Sequence, residues 1–274
     1  MAENEHYYAA EPVSHNTRRT IDDEQLKRML KQSEPRFTEK YFYCIATLIL
    51  IALNVVVYLV EVVLSGFSVD ISGMVLYDMG AMYVPAIQSV TDLYRFVTPM
   101  FLHIDLMHLV FNMAALYSVG VMLEQVLGKK NFVLLYFIAG ITGNVVSYVT
   151  DIVTGSFAIS AGASTSIFGL FIAVALLGLL SKNNRAWFSQ YSKGMLSIIA
   201  LNVLYSLAMP SVSLSGHLGG ALGGLIGMYI VPSKNLRVPT IVRIVVALAW
   251  VAVMVWIMSG SWLSFLINLL SGTA

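Results

Sequence analysis

Ser164, His217, His108 and Asn112 are the residues of this sequence on which chemistry can be built. A hydroxyl is a weak nucleophile until an imidazole within hydrogen-bond reach takes its proton, and the tetrahedral anion that follows needs N–H donors aimed at its oxygen. Ser164 is the candidate nucleophile and His217 the candidate base, which would later act as acid towards a leaving amine. His108 and Asn112 stand four residues apart, hence on one face of a helix, and their side-chain N–H groups can join the Ser164 backbone N–H around an oxyanion. Gly162 leaves room for a substrate strand beside the serine, and Phe168, one turn further on, can pack on the His217 ring. Each residue also has an ordinary explanation when taken alone. A serine in an apolar helix often bonds a carbonyl of the preceding turn, and a lone interfacial histidine commonly just packs. It is their joint arrangement that points to hydrolysis of a peptide bond by a two-residue Ser–His device, with no acidic third member apparent near His217.

The elements that must bring these residues together are membrane spans. Only 11% of the 274 residues are charged and 58% are apolar, against roughly 25% charged in a soluble domain, so the chain is built for lipid. Seven apolar windows, at 42–64, 107–127, 131–149, 163–180, 194–209, 216–231 and 241–259, approach the length needed to cross the hydrocarbon core. The stretch Trp262–Leu270 is too short to cross. With the N-terminus inside, the basic residues of the tail, Lys129 and Lys130, Lys182, Arg185 and Lys193, and Lys234, Arg237 and Arg243 all fall on the inner side, leaving Arg95 outside with Asp70, Asp78, Asp92, Asp105 and Asp151.

This topology predicts three organisational units: a cytoplasmic tail over 1–40, a six-helix core over 41–231, and an inner loop, seventh helix and outer tail over 232–274. No apolar run precedes residue 41, so the first span is expected to act as an uncleaved insertion signal. The outer segment 65–106 is long yet rich in aromatic residues, which predicts a structured, membrane-embedded element. Spans two, four and six enter from outside and begin at His108, Ser164 and His217, so those residues share one depth and can meet. Polar groups converging from three spans mark a functional site by default. The lone cysteine, Cys44, excludes an intrachain disulfide and a thiolate metal cluster.

Read together, Gly162-Ala163-Ser164, then Gly216-His217 followed by Gly219, Gly220, Gly223 and Gly224, and His103 to Asn112 before them, resemble the rhomboid family. Tyr94-Arg95 stands where that family has Trp-Arg, and Gly120 with Glu124 is similar to its Gly-x-x-x-Glu element. Thr165 departs from the glycine that commonly follows the nucleophile. The resemblance covers roughly residues 42–231, with the last span matching a seven-helix variant. It implies an all-α intramembrane serine endopeptidase that needs no metal or organic cofactor. It implies a catalytic Ser164 and His217, an oxyanion site from His108 and Asn112, and support from Phe168, Gly162, Gly220, Arg95 and Glu124. It also implies that the partners are single-pass transmembrane substrates and the lipid bilayer, with no nucleic acid.

Small or helix-weakening residues near the outer boundary should be preferred in the substrate, because a helix hides its amides until it unwinds. The loop 210–215 and the span 194–209 are expected to move as the gate, and the location implied by an inward N-terminus and basic inner loops is a bacterial plasma membrane. Two other readings remain. An inactive rhomboid-like protein that escorts membrane clients would use the same fold. A transporter would need a polar path through both leaflets, yet Glu124 is the one ionisable residue in the inner half of a span, and there is no internal repeat. His-Glu-x-x-His for zinc and a pair of intramembrane aspartates are both missing, which excludes the other intramembrane peptidase chemistries.

Overall fold

A computed structural model describes residues 44–182 and 213–263, together with positions 24, 188, 189 and 194. Apart from positions 24 and 194, the tail, the window 194–209, residues 210–212 of the expected gate and residues 264–270 lie outside the described residues. The described residues between 44 and 263 belong to one compact unit. Among the described residues there are isolated bridges but no strand, and the helices are α1 (Ile45–Leu64), the short α2 (Gly73–Asp78), α3 (Leu106–Leu127), α4 (Lys129–Thr154), α5 (Ser164–Leu180), α6 (Leu214–Ile230) and α7 (Thr240–Met258).

Four of these, α1, α3, α4 and α7, are long and apolar enough to cross a membrane, and α5 is a shorter apolar helix. The chain is therefore an integral membrane protein. Helix α4 runs further at both ends than its apolar window of 131–149, reaching 26 residues, or about 39 Å at 1.5 Å per residue. The added residues, 129–130 and 150–154, are largely polar, so hydropathy does not mark them. Gly128 joins α3 to α4 by itself: its φ of +84°, open to glycine at little cost, turns the chain in one residue.

Burial separates a central helix from peripheral ones. In α4 67% of the apolar window is buried inside the protein, against 28% in α1 and 6% in α7. Lipid is as apolar as leucine, so helices associate here through close packing and hydrogen bonds rather than through exclusion of water. The tightest seams join α6 to α5 and α4. A Cβ on Gly220 would strike the Thr165 carbonyl oxygen and one on Gly224 the Gly169 carbonyl, so only glycine lets these backbones meet. Helix α7 is tied to α4 by Trp250 Nε1–H donating to Thr142 Oγ1 at 2.9 Å.

The segment between α1 and α3 is structured, as its aromatic content predicts. It holds α2 and three 3-10 turns, Val84–Ala86, Val90–Phe96 and Thr98–Phe101, and it buries Met82, Phe96 and Met100 completely. Arg95 is its pin. The guanidinium is buried, donates from Nη1 to the Tyr77 and Ala81 carbonyls at 2.9 and 3.0 Å, and lies over the Tyr77 and Tyr94 rings at 4.8 and 5.3 Å. Asp92 closes a capping box with Ser89, and the N–H groups of Gln88 and Ser89 with the Ser89 hydroxyl hold its carboxyl below the usual range.

At the opposite end of the bundle Asn235 ties helix ends together. Its Nδ2 donates to the Val126 carbonyl at 2.6 Å, while the Asn235 carbonyl accepts the Lys182 N–H at 2.8 Å.

Candidate active site

Three helix N-termini converge. His108 is the third residue of α3, Ser164 the first of α5 and His217 the fourth of α6. Caps place the two histidines. Asp105 accepts the His108 N–H at 2.7 Å, starting α3. Ser213 accepts the Gly216 N–H at 3.1 Å, starting α6, and its hydroxyl meets that of Ser147 on α4, also at 3.1 Å, which sets the height of α6 against the central helix. Helix α5 begins differently. Its N-cap is Ala163, which has no capping group, so the first-turn N–H groups carry positive potential at Ser164.

The result is a hydroxyl and an imidazole in contact: His217 Nε2 lies 2.9 Å from Ser164 Oγ across 53 residues of sequence. The Phe168 ring stacks on His217 with centroids 4.0 Å apart and planes inclined by 15°, which leaves the imidazole little freedom to rotate. Gly162 adopts φ +141°, a region favouring glycine, and a Cβ there would sit 2.9 Å from His108 Nε2 and 3.4 Å from Ser164 Oγ. His108 Nε2 and the serine oxygen therefore flank one small volume. Asn112, one turn below His108, is buried, and its Nδ2 has no hydrogen-bond partner among the described residues. These side chains line a cavity of about 320 Å³ that includes Phe168, Phe171 and Met107 among its walls.

A family model, the rhomboid domain, matches residues 90–234, more than half of the chain. The chain belongs to the rhomboid family. The rhomboid protease GluP of Bacillus subtilis is 34% identical over 204 residues, covering 73% of this chain and 38% of its own length. The putative rhomboid protease YdcA of the same organism is 34% identical over 144 residues, 53% of this chain and 70% of its own. The rhomboid protease AarA of Providencia stuartii is 28% identical over 239 residues, 78% and 83% respectively. The present rhomboid thus spans well under half of GluP but most of the other two.

Of the supporting residues, Phe168 and Gly162 line the cavity and Gly220 packs against the backbone of Thr165, whereas Arg95 lies in the segment between α1 and α3. Glu124 is at the far end of α3. Its carboxylate accepts the Ala46 N–H at 3.0 Å, the Thr47 N–H at 2.8 Å and the Thr47 hydroxyl at 2.8 Å, capping the first turn of α1 from a neighbouring helix.

Sequence reasoning passed over Asn144, Ser147 and Ser213, which also line the cavity, and Glu61, whose carboxyl meets the His103 N–H just before the lining residues Ile104 and Asp105. The signal for Asn144 and Ser147 was present, since both are polar positions within an apolar span. Which way they face depends on how α4 is rotated among its neighbours, and periodicity in a helix buried nearly all round does not reveal that.

Proposed function

We infer that this rhomboid is a serine endopeptidase that cuts transmembrane proteins within the bilayer, near the outer face, with Ser164 as nucleophile and His217 as general base and acid. The 2.9 Å contact between Ser164 Oγ and His217 Nε2 carries this reading. Ser164 Oγ bonds to the peptide carbonyl carbon as its proton passes to His217 Nε2, and the carbonyl electron pair moves onto oxygen. That oxyanion is held by the His108 and Asn112 side-chain N–H groups and by the Ser164 backbone N–H at the start of α5. Collapse breaks the C–N bond, with His217 returning its proton to the amine. Water, deprotonated by His217, then hydrolyses the acyl-serine and regenerates the hydroxyl.

A scissile helix must unwind to reach this cavity, so single-span proteins with small or helix-weakening residues near the outer boundary are the substrates, with small side chains at the cut. Residues 194–215 act as the gate. Seven spans, with the N-terminus inside a bacterial plasma membrane, complete the reading; the basic residues at inner positions support it.

The test is reconstitution in liposomes with a fluorescent single-span reporter, comparing the wild type with Ser164→Ala and His217→Ala. Cleavage is expected from the wild type alone, and fluorophosphonate labelling is expected to vanish with Ser164→Ala. Unchanged proteolysis in either variant rejects the mechanism. A wild type inert towards both a broad reporter panel and the fluorophosphonate points to a client-escort protein.

A further inference from the structure

The outer end of α1 carries a carboxyl group for which peptide hydrolysis has no evident use. Leu50, Asn54, Tyr58 and Glu61 recur three or four residues apart and are all buried, so they form the face that α1 turns to the body of the protein. Glu61 is 0% exposed. A carboxyl group at that depth is costly unless it finds donors, and both of its oxygens lie 3.2 Å from one donor, the backbone N–H of His103. One turn earlier the Tyr58 hydroxyl donates to the Val69 carbonyl at 2.6 Å, and Ile71 N–H donates to the Ile104 carbonyl at 2.9 Å. Helix α1 thereby holds both chain segments on which the entry to α3 is built.

His103 is itself fully buried. Burial, with the nearby His108 adding to it, pushes its imidazole from the usual 6.5 down to about 3, so the ring is neutral and is no ion-pair partner for Glu61. It serves as a wedge: its ring stands edge-on to His108, with centroids 5.3 Å apart and planes inclined by 64°. His108 needs such a wedge, because its Nδ1 is buried with no hydrogen-bond partner among the described residues. No bond through that nitrogen sets the ring plane, so packing must.

We propose that Glu61 is a positioning residue for the oxyanion site, holding the His103 backbone so that the His103 ring fixes the orientation in which His108 Nε2 faces the Ser164 oxygen. This rests on the reading of His108 as an oxyanion donor. The carboxyl acts as an acceptor of one N–H, and its effect reaches the reaction only through two rings.

The experiment is a double-mutant cycle on the full chain in liposomes with the single-span reporter, measuring kcat and KM separately. Glu61→Leu is expected to lower kcat roughly 10- to 100-fold with KM within about twofold, the scale of a misoriented catalytic group. Glu61→Gln, whose amide oxygen still accepts the His103 N–H, is expected to recover kcat to within about threefold of wild type. In a His108→Ala background, itself slower, Glu61→Leu should add less than about threefold, because the group it positions is gone. His103→Ala provides a second entry should Glu61→Leu fail to fold, with the same kcat loss and the same disappearance in the His108→Ala background. Equal losses with and without His108, or a loss confined to thermal stability, overturn the proposal while leaving the Ser–His reading intact. Full activity of His108→Ala instead overturns the oxyanion assignment, and this proposal with it.

Discussion

Two buried glutamates, one at each end of the α1 interface, are satisfied to very different degrees. Glu124, at the N-terminal end of α1, receives three hydrogen bonds of 2.8 to 3.0 Å from Ala46 and Thr47. It does for α1 what a capping residue does for its own helix, where Cys44 at the N-cap makes no side-chain capping bond. Glu61, near the C-terminal end of α1, receives a single N–H shared between its two oxygens at 3.2 Å. The Glu124 carboxyl is fully used in closing a helix end. The Glu61 carboxyl is less fully bonded, and it meets the backbone just before Ile104 and Asp105, which line the cavity. At one end of α1 a carboxyl closes a helix terminus, and at the other end a carboxyl bears on the segment that leads into the cavity wall.

The sharpest way to break this division is to remove the reacting pair. Ser164→Ala or His217→Ala should lower kcat/KM by at least about 10³-fold while leaving the thermal midpoint in detergent close to wild type, since neither side chain closes a helix end. Loss of fold together with activity would erase the distinction between the two ends. Asn112→Ala should cost kcat about 10²- to 10³-fold with little change in KM, the scale of one oxyanion donor, as read by initial rates over a range of reporter density.

Glu124→Ala should do the reverse. It strands two backbone N–H groups and a threonine hydroxyl, for an expected loss of about 2 to 4 kcal/mol in unfolding stability, while the kcat/KM of the protein still folded stays within about threefold of wild type. A large kcat defect at constant stability would put Glu124 in the same class as Glu61. Gly220→Ala lies at the junction of the two, because its new Cβ meets the Thr165 carbonyl one residue from the nucleophile. Overpacking of about 1 to 3 kcal/mol should appear both as a lowered midpoint and as a slower rate. Phe168→Leu is the mildest change. Losing the stacked ring should slow turnover by roughly 2- to 10-fold as the His217 ring gains freedom, with a stability loss of about 0.5 to 1.5 kcal/mol, the worth of an aromatic pair.

Much of this was legible in the chain. Lipid as the solvent, most of the span boundaries, and the shared end of α3, α5 and α6 follow from runs of apolar residues. The candidates Ser164, His217, His108 and Asn112 stood out because polar residues at the start of apolar spans are rare enough to be noticed. The true length of α4 was hidden, since its ends are polar where they leave the hydrocarbon layer. Glu61 was hidden for a different reason: it belongs to α1, which contributes nothing to the reaction directly. A single acid in a 20-residue apolar helix has no sequence partner to reveal it.

What the sequence by itself determined is therefore an inventory and a depth. Helical rise and the apolar pattern decide which residues lie at which level, and they do so locally, without knowledge of any neighbour. What only the tertiary structure decided is contact: that His217 reaches Ser164 at 2.9 Å, that Phe168 lies flat on that ring, and that His103 stands edge-on to His108. Contact depends on how each helix is rotated and how closely it approaches the next. In lipid that is set by backbone-to-backbone packing at glycines such as Gly220 and Gly224 and by caps reaching between helices. Both are relations between distant parts of the chain, to which no local pattern refers.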